Sequence, residues 1–198
     1  MLYLASSSPR RRRLLQQLGV EFSTLDVEVP EQRQPGEPPP DYVSRVAREK
    51  AGAGLLQVMA LPGALVLGAD TEVVLDGEVF GKPADAAGAA AMLRRLSARL
   101  HQVISVVWCV SAAREDRAVS VSEVTFAPLE DAEIAAYVES GEPFGKAGGY
   151  AIQGRGGALV SRLDGSCSGV MGLPLHETAR LLRGFAWLSP RPRVGIAP

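Results

Sequence analysis

Cysteine is nearly absent from this chain: Cys109 and Cys167 are the only two, and they form neither a CxxC pair nor a zinc pattern. Reduced thiols in a cytosolic protein are the expected reading. Histidine is as scarce. His101 has no histidine or cysteine at a ligand spacing and is expected to make a structural hydrogen bond, while His176 lacks the serine or cysteine that a catalytic base would serve. Long apolar runs are missing too. The longest, Ile104 to Val110, cannot span a bilayer. The N-terminus, MLYLASSSPRRRR, has too short an apolar start, placed before its charges, to act as a secretory signal. A formal net charge of -1 excludes a global basic field for nucleic acid, so anion binding must come from local clusters. No internal repeat or long low-complexity segment occurs. A soluble cytoplasmic protein is expected.

What remains is an ordinary globular composition, 46% hydrophobic and 22% charged. A chain of 198 residues is read as one domain over 1–188, able to bury roughly 70% of its unfolded surface, followed by a disordered Pro- and Arg-rich tail over 189–198.

The organising stretch is ALVLGADTEVVLDGEVFGKP, Ala64 to Pro83. Ala64 to Leu67 predicts a buried strand that stops at Gly68-Ala-Asp-Thr71, which puts Asp70 at a strand end, where open α/β sheets place ligands. Asp76-Gly77 between apolar runs predicts a type I′ hairpin. Lys82 follows Asp70 by twelve residues on a constrained turn, so a metal and a phosphate are the expected ligands. A Walker A loop is excluded, because only three residues separate Gly77 from Gly81 and Pro83 replaces the required Ser or Thr. By itself the stretch fits equally well an Asp70 that caps a turn and a Lys82 in solvent.

Leu2 to Ala5 predicts a strand leading into Ser6-Ser-Ser-Pro9. Ser8 suits the N-cap and Pro9 the first helical position of a helix running to about Leu18, closed by Gly19. Strand, serine turn and helix start together resemble an anion cradle. Four arginines open the helix. Arg10 and Arg11 share the side of Leu14, Leu15 and Leu18, whereas Arg12 and Arg13 align with Gln16 and Gln17. The first pair is expected in the cleft and the second in solvent. Val20 to Val29 predicts a further strand, Glu31 to Pro40 a mobile loop, and Asp41 the cap of a helix to about Met59. Lys50 lies close to that helix's apolar side, where it either snorkels or meets an anion.

Asp85 to Ala98 predicts a helix. His101 to Ala112 and Ala118 to Ala127 predict an antiparallel hairpin within a mixed sheet, turning at Arg114 to Arg117. Glu130 to Glu139 predicts a short helix. Gly141 to Gly157 holds seven glycines, permitting close backbone approach to a ligand or a plain omega loop over the core. A dinucleotide fingerprint fails there, because Leu159 takes the final glycine position. Lys146 supplies a cation, and Gln153 an amide suited to a base edge. Ala158 to Leu163 predicts a strand and Leu175 to Phe185 a last helix.

LASSSPRR (Leu4 to Arg11), GADTEVVLDGEVFGKP (Gly68 to Pro83), GKAGGYAIQG (Gly145 to Gly154) and GSCSGVMGLPL (Gly165 to Leu175) together resemble the Maf family of nucleoside triphosphate pyrophosphatases, in order and spacing. The resemblance implies a mixed α/β fold of the Maf and inosine triphosphatase kind: an elongated twisted sheet flanked by helices, two lobes around a central cleft, often dimeric. It implies hydrolysis of a nucleoside triphosphate between the α and β phosphates with Mg2+ or Mn2+, and PEQRQP resembles the branch acting on dTTP and UTP. Asp70 matches the proposed general base or metal-organising carboxylate. Arg10, Thr71 and Gln153 match positions linked to base selectivity. Ser6, Ser8, Arg11, Glu31, Lys50, Lys82 and Lys146 match cleft residues. Cys167 and Gly169 depart from the aromatic and asparagine that relatives often carry.

The mechanism expected is attack of a metal-activated water on the α phosphorus. Asp70 is assigned to metal and water with Glu31 as helper, Lys82 acts beside them, and Arg11, Lys50, Lys82 and Lys146 hold the triphosphate. A nucleotide-binding regulator of cell division without turnover is the alternative, against which the retained acid and cations speak. A nucleic-acid module built on Arg10 to Arg13 is disfavoured by the net charge and the lack of interleaved aromatics.

Overall fold

The structure, a computed structural model, describes residues 1–188, so the tail expected to be disordered lies outside the described residues. The chain order is β1 (Leu2–Ala5), α1 (Pro9–Gln16), β2 (Ser23–Leu25), α2 (Pro39–Val58), β3 (Leu65–Leu75), β4 (Glu78–Phe80), α3 (Ala86–Leu96), β5 (Leu100–Ser111), β6 (Glu115–Phe126), α4 (Asp131–Glu139), β7 (Val160–Asp164), α5 (Cys167–Val170) and α6 (Leu175–Gly184). One seven-stranded mixed sheet runs β2-β1-β3-β5-β6-β7, with β4 paired to β3. The first two pairings are parallel and the others antiparallel.

The central strand corrects the expectation of a break at Gly68. β3 continues for 11 residues through Gly68, Asp70 and Thr71, because β5 pairs with it from Leu65 to Val74 and supplies a ladder past the apparent end of the apolar run. What ends near Gly68 is its other neighbour. β1 pairs with β3 only as far as Ala5 opposite Gly68, and β4 takes over only at Phe80 opposite Val73. Among the described residues, 69–72 therefore have no strand on that edge. The hairpin forms as expected: Asp76 and Gly77 both have positive φ, 52° and 77°, the signature of a type I′ turn.

Smaller differences have local causes. The expected strand over 20–29 shrinks to Ser23–Leu25, where β1 offers only three partners. α2 starts at Pro39 behind Pro38 without a side-chain cap, and Asp41 lies in its first turn, where a carboxylate complements the helix dipole. Glu115 to Arg117 belong to β6 rather than to a turn, since they pair with Val110, Cys109 and Trp108. Ser8 caps α1 as expected, its hydroxyl accepting from the Arg11 amide at 3.4 Å.

Apolar side chains separate into two main groups. Leu2, Leu4, Leu14, Leu15, Leu67 and Leu182 join β1, α1 and α6 at one end of β3. Val73, Phe80, Leu93, Phe126, Ile134 and Tyr150 join the other end to α3, α4 and the glycine-rich loop. The unpaired edge of β3 lies between these two lobes. No helix among the described residues is long and apolar enough to cross a membrane.

Candidate active site

The cleft at that edge encloses about 530 Å3. All eleven residues singled out from the sequence line it: Ser6, Ser8, Arg10, Arg11, Glu31, Lys50, Asp70, Thr71, Lys82, Lys146 and Gln153. Arg12 and Arg13 are exposed on the far side of α1, as helical spacing predicts.

Residues of β3 point alternately to the two faces of the sheet, so Asp70 and Glu72 look toward α2 while Thr71 and Val73 look away from it. α2 lies unusually close. A Cβ on Gly68 would come within 2.4 Å of the Ala47 carbonyl and 2.5 Å of the Ala51 amide, so only glycine permits this approach. One consequence is that Lys50, on the buried face of the helix, sits directly over the strand. Its ammonium group donates to Asp70 Oδ1 at 2.8 Å and pairs with Glu31 Oε1 at 2.6 Å. Lys82, beyond the β3–β4 hairpin, donates to the second oxygen of Glu31 at 2.5 Å. Glu31 thus ties the loop before α2 to both lysines. Burial pushes its carboxyl up, but the hydrogen bonds from Lys50 and Lys82 outweigh this and hold it at about 2.

The opposite face of β3 carries a second network. Arg11 Nε donates to the Gly172 carbonyl at 2.8 Å, and its terminal nitrogen donates to Thr71 Oγ1 at 3.4 Å. Ser105 Oγ donates to the Gly169 carbonyl at 2.7 Å. Since that uses its one proton, Thr71 must be the donor in the 2.7 Å contact between the two hydroxyls. Arg11 and Thr71 therefore lock the turn after α5 against the strand. Gly169 belongs to this junction, where an added Cβ would lie 3.0 Å from Ser120 Oγ.

Lys146 and Gln153 come from the glycine-rich loop. Gly148, with φ of 67°, rests on Val73, where an added Cβ would approach to 2.7 Å. Glu142 holds the far side: it accepts from Tyr137 at 2.9 Å and from the amides of Arg155 and Gly156 at 3.0 and 2.9 Å. Lys146 donates to the Glu142 and Phe144 carbonyls, and burial followed by the Arg10 charge lowers its pKa. The bland reading of this span as an omega loop over the core thus describes its packing, while two of its side chains still face the cleft. Ser6 Oγ accepts from the Ser8 amide at 3.2 Å, which shapes the serine turn.

Glu72 is the functional candidate that sequence reasoning missed. It is 6% exposed, and burial, then the charges of Asp70 and Glu31, raises its carboxyl to about 8. The signal was present: once β3 is read as unbroken, a period of two places Glu72 beside Asp70. His101, by contrast, is structural as expected, contacting the Tyr150 hydroxyl at 2.9 Å with its pKa lowered to about 4 by burial. Both cysteines are free thiols.

Five cationic side chains thus converge with three carboxylates on one polar cleft, at an interrupted sheet edge beside a helix N-terminus. The Maf-like protein family matches residues 1–185. The chain belongs to the Maf family. A nucleoside triphosphate pyrophosphatase of Xylella fastidiosa strain 9a5c is 60% identical over 186 residues, covering 93% of this chain and 98% of the relative. A dTTP/UTP pyrophosphatase of Xanthomonas euvesicatoria pv. vesicatoria strain 85-10 is 59% identical over 187 residues, with the same coverage of both. Among solved structures, the Staphylococcus aureus Ham1 protein is similar over 64% of this chain and 71% of that one, at 14% identity and a TM-score of 0.44.

Proposed function

We propose that this Maf protein hydrolyses dTTP and UTP, or modified pyrimidine triphosphates, between the α and β phosphates, giving the monophosphate and pyrophosphate. The observation that carries the reading is the convergence of Arg10, Arg11, Lys50, Lys82 and Lys146 around the buried Asp70 in one cleft. The printed names of relatives about 60% identical support the same reaction and the same branch. A triphosphate is a concentrated polyanion, and transfer of its phosphoryl group depends on positioning and charge compensation rather than on covalent chemistry.

Each residue then has a task. The hydroxyls of Ser6 and Ser8, at the start of α1, accept from backbone amides and keep their own protons to donate to phosphate oxygens. Lys50 and Lys82, held on Glu31 in the free protein, exchange that carboxylate for phosphate oxygens when the triphosphate enters. Lys146 and Arg11 complete the charge cradle, while Arg10, Thr71 and Gln153 face the base. Asp70 orients the attacking water and takes its proton.

A divalent ion belongs to this reading. Among the described residues no group of three or more His, Cys, Asp or Glu forms a metal cage. The residues nevertheless fit magnesium or manganese, because Asp70 Oδ2 and Glu72 Oε2 are buried without a partner and a magnesium site needs few protein ligands. Asp70 would hold the ion; Glu31, the second carboxylate expected from the sequence, has Lys50 on one oxygen and Lys82 on the other in the free protein. When bound, such an ion lowers the pKa of water and stabilises charge on the transferred phosphoryl group. A cytoplasmic homodimer acting on small nucleotides, without nucleic acid or membrane partners, completes the proposal; the free thiols suit a reducing compartment.

The test is pyrophosphate release from canonical and modified triphosphates, with magnesium and with EDTA. Metal-dependent release concentrated on dTTP and UTP is expected. Release concentrated on a guanine nucleotide would overturn the assignment of the base side. No release from any triphosphate would favour the nucleotide-binding regulator instead.

A further inference from the structure

Two carboxylate oxygens on β3 meet no donor: Asp70 Oδ2 and Glu72 Oε2. Both residues line the cleft, and they are only 5% and 6% exposed. Being two apart on one strand, they project from the same face, along the segment where β3 has no edge partner. The nearby ammonium groups are already committed. Lys50 sits on Asp70 Oδ1 and Glu31 Oε1, and Lys82 on Glu31 Oε2. Glu31 therefore has an ammonium on each oxygen, and the free acceptor capacity lies between Asp70 and Glu72.

A buried carboxylate with no positive partner is unfavourable, and this position has an obvious cheaper occupant. Val73 and Val74 follow directly, and an aliphatic side chain at position 72 would be buried without any electrostatic penalty. Retaining glutamate there makes physical sense if something positive comes to it from the cleft. Two hard oxygen donors opening on a polar cleft match a divalent cation that keeps several of its own waters.

We propose that Glu72 is a direct protein ligand of the divalent ion, which binds between Asp70 Oδ2 and Glu72 Oε2. Glu31 acts on the ion only through the lysines it holds. The proposal rests on the hydrolase reading for the class of ion, yet ion binding is measured without turnover. Mn2+ is titrated into metal-stripped wild type, Glu72→Gln and Glu31→Gln, with and without α,β-methylene-UTP. Free Mn2+ is read from its electron paramagnetic resonance signal, and the ion-dependent rise in melting temperature is recorded in parallel. At least tenfold weaker binding and loss of the thermal shift are expected in Glu72→Gln, against less than a threefold change in Glu31→Gln. Equal affinity in wild type and Glu72→Gln, a loss confined to Glu31→Gln, or no Mn2+ binding by wild type with or without the analogue would each overturn the proposal. If Glu72→Gln does not fold, Glu72→Leu carries the same comparison. Pyrophosphate release by the wild type, measured on the same samples, separates the two ideas: Mn2+ bound at Glu72 without release rejects the hydrolase reading and leaves the site, while release with Glu72-independent binding does the reverse.

Discussion

Lys50 and Asp70 lie 20 residues apart in the chain and meet at 2.8 Å, with 9% and 7% of their side chains exposed. Both charges are thus withdrawn from water; Asp70 has Lys50 as its cation, and Lys50 is balanced by Asp70 and Glu31 together. Removing one member of such a pair leaves an uncompensated buried charge. Lys50→Met is expected to lose turnover and roughly 3–5 kcal/mol of stability. The double variant Lys50→Met/Asp70→Leu is expected to recover much of that stability and none of the activity. Urea unfolding beside pyrophosphate release checks both; a Lys50→Met protein as stable as wild type would show that the pair is not coupled.

Gly68 decides whether that pair can form. An alanine there would press its methyl group into the Ala47 carbonyl and the Ala51 amide, backbone atoms that cannot rotate away. Overpacking of this kind costs about 1–3 kcal/mol. Because relief requires α2 to move off β3, Gly68→Ala should also lower kcat. Retention of full kcat in a destabilised Gly68→Ala protein would separate helix position from chemistry.

Glu142 faces away from the reacting groups but anchors the loop bearing Lys146 and Gln153. Glu142→Ala removes the acceptor for Tyr137 and two backbone amides. The expected result is a KM raised about tenfold, equivalent to roughly 1.4 kcal/mol, with kcat nearly unchanged. Steady-state kinetics on UTP would reveal it, and a fall in kcat alone would contradict a positioning role.

His101 links stability to pH. It is 1% exposed, and burial lowers its pKa from 6.5 to about 4, so the folded state keeps it neutral while the unfolded chain takes up a proton below pH 6.5. Its contribution is therefore fully present above that value and is lost as the pH falls toward 4. At most roughly 3 kcal/mol is at stake. Urea midpoints between pH 7 and 4 should fall less steeply in His101→Gln than in wild type; parallel curves would remove His101 as a cause.

Much of this was legible along the chain because it depends on neighbours in sequence. The Ser8 cap, the Asp76-Gly77 turn and the two faces of α1 are local consequences of side-chain shape and period. The site residues were also legible as a set, since strand, turn and helix-start motifs each carry their chemistry with them. The unbroken run of β3 was not. Its ladder over Gly68 to Thr71 is supplied by β5, some forty residues later, and the hydrophobic pattern of 64–75 alone gives no sign of it.

The sequence by itself determined that this chain builds a polar, cation-rich cleft on a mixed sheet, and named eleven of the residues that line it but not Glu72. Only the tertiary structure decided how they are paired. β1 stops opposite Gly68 and β4 begins opposite Val73, which opens the edge of β3 for a ligand. The close approach of α2 at Gly68 commits Lys50 to Asp70 and Glu31, and leaves Glu72 buried without a cation. Such assignments depend on distances of a few ångströms between segments remote in sequence. Coulomb energy and desolvation vary steeply over that range, and spacing along the chain does not encode it.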